Sequence, residues 1–148
     1  MQIDYLKLLR LEQKLKNRNQ ILPLNERKKI AKYNRQILDH FRWQQRNNFI
    51  EVMSNFLGNK ISLDQYVDKF WEVESQSREN QEKLVSDFKC LETFKPDVRS
   101  VGFAILIENL LSDIRLLEED ESVRTSDEIS SEELIRGIKE FLPKIEQY

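Results

Sequence analysis

Cysteine occurs once in this chain, as Cys90, and histidine once, as His40. A single cysteine excludes an intrachain disulfide and suits a reducing compartment. With one histidine and no second cysteine there is no His/Cys ligand spacing, so no metal and no cofactor are expected. Glycine and proline number three each, too few for the turns of a sheet protein or for a glycine-rich phosphate loop. Nowhere do 18 apolar residues run together, which excludes a transmembrane helix, and no membrane is expected among the partners. The opening MQIDYLKLLRLEQKLK is broken by charges every few residues, unlike a signal peptide. His40 stands near Asp39 and Arg42 with no nucleophile in local view, so no catalytic residue is assigned and an enzyme is not expected. The expectation is a soluble protein of the cytoplasm or of an organelle interior.

What the chain has in abundance is helix formers: Leu, Glu, Lys, Arg, Gln and Ile. The fold class expected is all-α, an irregular bundle of four to five helices. Ile3, Leu6, Leu9 or Leu8, Leu11 and Leu15 mark a first helix over residues 3–17, and the stretch around Pro23 breaks it. A second helix starts at Asn25 as N-cap and runs on to Leu57, where Gly58-Asn59 stops it. Ser62 and Gln65 have capping-box spacing and open a third helix through Phe70 and Trp71. Its apolar pattern fades in ESQSRENQEK, residues 74–83, where the helix is expected to project into water or bend. The pattern recovers at Leu84, Phe88 and Leu91, and Pro96 ends the element.

The most apolar helix follows. Phe103, Ile107, Leu110, Ile114 and Leu117 form one seam, widened by Leu106, Leu111 and Leu116. It is expected to run straight into the EEDE of residues 118–121. A second capping box at Ser130 then opens a last helix, with Leu134, Ile138, Phe141 and Ile145 inward and Pro143 kinking or ending it.

Charge is unevenly spread. Residues 1–60 hold 13 Lys and Arg against 5 Asp and Glu, whereas residues 61–148 hold 11 against 21. Between Glu108 and Glu133 ten carboxylates meet only Arg115 and Arg124. Such polarity points to charged partners or to one half covering the other. The carboxylates lack the alternation and central glycine of a calcium loop. In the basic half, Arg42, Trp43 and Arg46 combine cations with an aromatic ring, a pattern that can bind nucleic acid. The plainer reading places the cations on the wet side of a helix and the ring in the core; it is preferred because the whole chain carries a net charge of −2.

Two segments together resemble the colicin D immunity protein family. One is FIEVMSNFLGNKISLDQYVDKFWEVES, residues 49–75; the other is ENLLSDIRLLEEDESVRTSDEISSEELIRGIKEFL, residues 108–142. The resemblance covers residues 49–148 and leaves residues 1–48 as a basic helical N-terminal extension. It implies a helical domain that binds a basic nuclease toxin domain and blocks its cleavage of tRNA. Glu118, Glu119, Asp120, Glu121, Asp127 and Glu128 are then the partner-binding residues, with Arg124 ordering the loop by pairing with a neighbour. The family's loop proline is absent. The competing expectation is a non-enzymatic scaffold that binds RNA or protein through Arg42, Trp43 and Arg46; nucleic acid is a partner only under that reading.

Overall fold

The computed structural model describes residues 2–148, with side chains from Asp4 onward, so Ile3 lies outside the described side chains. The class is all-α, with seven helices among the described residues. They are α1 (Gln2–Asn17), α2 (Leu24–Gln44), α3 (Arg46–Leu57), α4 (Leu63–Val85), α5 (Phe88–Thr93), α6 (Ser100–Leu116) and α7 (Ser131–Ile145). Two breaks account for the excess over the expected number. The long second helix divides at Gln45, and the short α5 separates from α4 at Ser86 and Asp87.

The break at Gln45 has no glycine or proline to announce it. Its N–H is shared between the carbonyls of Phe41 and Arg42, both at 3.1 Å, and its side-chain oxygen accepts from Asn48 Nδ2 at 2.6 Å. Packing is the reason for the bend: α2 lies on α4 and α6, while α3 must reach α4 and α7. Asn25 is not the cap of α2, which starts one residue earlier behind Pro23. Proline fits there because the first helical turn leaves its N–H groups unpaired anyway.

The Ser62–Gln65 capping box is present with both bonds, at 3.2 and 2.9 Å. Only half of the second one forms. The Glu133 N–H donates to Ser130 Oγ at 3.2 Å, but the Glu133 carboxylate takes the Ser130 hydroxyl instead of its backbone N–H. Pro143 sits inside α7, which continues two residues beyond it to Ile145. Residues 74–83 stay within the unbroken α4 and do not project as a whole. Glu74 and Ser77 are buried there, so the apolar pattern fades because polar groups occupy inward positions.

The principal core joins Phe49, Val52 and Met53 of α3, Tyr66 and Phe70 of α4, the seam of α6, and Leu134, Ile138 and Ile145 of α7. Phe103, Ile107, Leu110, Leu111 and Ile114 are buried as expected, whereas Leu116 is exposed and Leu117 half-buried. A second core gathers Tyr5, Leu6, Leu9, Leu22, Ile30, Ile37 and Leu91, flanked by Leu84 and Phe88. A division at residue 48 nearly follows the two cores: the buried members of the principal core all lie at or beyond Phe49, and those of the second lie before it except Leu91. Helix α2 lies on α4 and α6, and the second core takes residues from both sides of that boundary.

Candidate functional site

Helix α6 does not carry the EEDE run. It ends at Leu116, Leu117 is extended, and residues 117–130 form a closed loop leading to α7. Its limbs are tied where they leave the bundle. The Glu118 N–H donates to the Ile129 carbonyl at 2.9 Å, and the Ile129 N–H to the Leu116 carbonyl at 2.8 Å. Leu117 and Ile129 thus pair as an isolated parallel bridge and pack against the principal core. Two apolar side chains anchor a segment whose one other apolar residue, Val123, is exposed.

Within the loop the six carboxylates have different roles. Glu118 Oε1 accepts the Asp120 N–H at 3.0 Å. Asp120 Oδ1 accepts the Ser122 N–H at 3.0 Å and its hydroxyl at 2.7 Å, bonds that hold the Asp120 carboxyl below the usual range. Glu128 Oε1 accepts the Thr125 N–H and hydroxyl at 3.1 and 3.0 Å. Arg124 crosses the loop, with Nε 2.9 Å from the Glu118 carbonyl and Nη2 3.4 Å from that of Glu119. The neighbours it pairs with are reached through their backbone carbonyls. Glu119, Glu121 and Asp127 are exposed, and their side chains have no hydrogen bond or ion pair among the described residues. Three carboxylates shape the loop and three face outward.

The alternative trio is arranged otherwise, and the expectation that Arg42 lies on a wet face is corrected. Arg42 is fully buried. Its guanidinium meets Glu74 through Nε at 2.9 Å and Nη2 at 2.5 Å, and Glu108 through Nη1 at 2.7 Å; Asp39 lies 3.8 Å away. Arg78 also reaches Glu74, at 3.0 Å. Burial opposes the charge of Arg42, but the bonds to Glu74 and Glu108 outweigh it and raise its pKa. Burial likewise pushes up Glu108, yet Arg42 brings that carboxyl below its ordinary value; on Asp39 burial prevails and the pKa rises. No phosphate can reach this arginine.

Trp43 is half-buried, with the guanidinium carbons of Arg46 and Arg99 at 4.1 and 4.5 Å from its ring centre. Arg46 also donates to the Trp43 carbonyl, and Arg99 is held by Asp97. A base would have to displace these contacts to stack.

His40 has a structural part that its local sequence conceals. Its Nδ1 accepts the Asp97 N–H at 2.9 Å, which requires a neutral ring with the proton on Nε2. Phe41 and Phe94 meet the ring edge to face. Burial lowers its pKa, against an opposing pull from Asp97. The histidine fixes the approach to α6.

Glu74 and Glu108 were missed as partners of Arg42 because they are distant in sequence. A signal existed nonetheless. Glu74 follows Tyr66 and Phe70 at steps of four, so it falls on the apolar stripe of α4, where a charge must find a partner. Among the described residues no three His, Cys, Asp or Glu side chains converge in a metal-ligand arrangement. Among the described residues no helix is long and apolar enough to cross a membrane. The chain matches no protein-family model, no curated protein and no solved structure.

Proposed function

We propose that the protein is an immunity-type binding protein that neutralises a tRNA-cleaving toxin domain, its acidic loop covering the toxin's cationic active site. The observation that carries this reading is the ordering of residues 117–130: six carboxylates against Arg124 alone, on a loop tied at both ends and braced from within. A preordered loop loses little conformational freedom on binding, so more of its electrostatic attraction appears as affinity. A nuclease acting on tRNA needs a cationic groove, and carboxylates held in a fixed array can fill it in place of phosphates. Opposite charge also speeds encounter. The scaffold reading loses its central residue, since Arg42 is inside the bundle.

The test separates the two kinds of carboxylate. Glu119→Gln, Glu121→Gln and Asp127→Asn together remove charge while leaving the bracing bonds in place. Protection of tRNA against a basic tRNase domain that the wild type blocks should weaken by roughly tenfold or more, mostly through slower association. Wild-type protection should itself fall as salt rises. Equal protection by the triple variant would sink the mechanism.

A further inference from the structure

The second charged surface of the molecule is the α1–α2 hairpin. Its connection exposes Ile21 (77%), and Leu24 at the head of α2 is 55% exposed, while Leu22 between them is 2% exposed in the second core. Leu22 therefore acts as an anchor between Ile21 and Leu24, which face outward. The presentation is fixed by the backbone: the Gln20 N–H donates to the Leu15 carbonyl at 2.8 Å, Asn19 adopts φ 55°, and Arg27 Nε donates to the Leu22 carbonyl at 3.0 Å. Around this apolar tip, residues 14–32 hold seven Lys and Arg against Glu26 alone. None of these seven forms an ion pair among the described residues. Behind the tip, a groove of about 590 Å³ between α1 and α2 sets Lys7, Lys29 and Lys32 around Leu8 and Leu11, with Asp4 and Glu26 also at its edge.

We propose that the α1–α2 hairpin is a docking surface for an anionic phospholipid membrane, with Ile21 and Leu24 entering the interface and the surrounding cations resting on the headgroups. Charge complementarity selects an anionic partner, and the aliphatic tip selects among such partners. Single-stranded nucleic acid is gripped by exposed rings, but Tyr5 is buried and its ring lies 4.9 Å from that of Tyr33, which is half-buried. Exposed Ile21 and Leu24 have no role against a sugar–phosphate backbone, whereas an acyl boundary takes them directly. The expectation of no membrane partner rested on the lack of a spanning run, and peripheral contact needs none. An anionic surface also orients the molecule: it attracts the basic half and repels the loop of residues 117–130, leaving that loop toward water. The inference does not depend on the immunity reading.

The test is co-sedimentation of the full chain with phosphatidylcholine vesicles, with and without phosphatidylserine as about one lipid in three. Binding is expected only with phosphatidylserine and should weaken as salt rises. Ile21→Ser with Leu24→Ser should lower the partition coefficient about tenfold or more. Lys28→Gln, Lys29→Gln and Lys32→Gln together should lower it roughly five-fold per lysine. All of these side chains are exposed, and circular dichroism should show unchanged helix content. Absence of binding to phosphatidylserine vesicles overturns the proposal. So does binding that Ile21→Ser with Leu24→Ser leaves intact, or RNA shifted in a gel by a wild-type protein that ignores vesicles.

Discussion

The cluster around Arg42 and the loop of residues 117–130 are both dense in charge, yet their charges are used in opposite ways. At Arg42, α2, α4 and α6 bring Glu74, Glu108 and Asp39 to one guanidinium out of contact with solvent. In the loop, hydroxyls and backbone N–H groups hold carboxylates that remain in water, and a single arginine takes backbone carbonyls. The first arrangement makes charges depend on one another; the second lets each act outward. Charge density in a sequence says little until the dielectric around it is known.

If that contrast is right, breaking the buried cluster should have the largest effect. Arg42→Met leaves Glu74 buried without its principal partner and should destabilise the fold by about 3–5 kcal/mol, read from urea unfolding. Adding Glu74→Leu should recover part of that loss, although Glu108 and Asp39 remain. A double variant no more stable than Arg42→Met would show that Glu74 is not the main burden.

The next effect is a pH dependence centred on His40. Its folded pKa is depressed, so its stabilising part is fully present above the unfolded value of about 6.5 and is lost as pH falls through the folded value. Asp39 and Asp113, pushed up by burial, contribute in the opposite direction, since their folded forms favour the proton. The comparison must therefore be between variants. His40→Asn offers an acceptor without titrating, and its unfolding midpoint should fall less than that of the wild type between pH 7.5 and pH 5.5, values spanning roughly one unit either side of that reference. Equal slopes would remove His40 from the account.

In the loop the effects should be smaller. Arg124→Ala removes bonds to two carbonyls and should lower stability by about 1 kcal/mol, while hydrogen exchange within residues 117–130 quickens. Unchanged exchange would mean that the Leu117–Ile129 bridge alone orders the loop. Glu119→Gln, Glu121→Gln and Asp127→Asn should shift stability by no more than about 0.5 kcal/mol, as exposed substitutions usually do. A large loss in thermal melts would show that these side chains hold the loop.

The helices were legible where periodicity and caps agreed, as in the α6 seam and the Ser62 box. The break at Gln45 was not, because it is imposed by which helices α2 and α3 must reach and not by the residue itself. Arg42 looked like a surface cation because neighbouring Arg and Lys are surface cations; only the register of α2 against α4 and α6 distinguishes it. In the loop, the carboxylates could be counted, but their division into bracing and outward-facing groups depends on turns around Asp120 and Thr125. The Leu117–Ile129 bridge joins residues twelve apart, beyond any local signal.

That bridge has a consequence for how readily the surface can be remade. It closes the loop at its base with two backbone bonds and two apolar side chains, and everything beyond is outside the core. The segment is a cassette seated in a socket. Its contents can be rewritten, lengthened or replaced by another closed loop while α6 and α7 keep their packing, because loop length adds little closure entropy once the base is fixed. A scaffold of this kind can change the surface it presents without refolding.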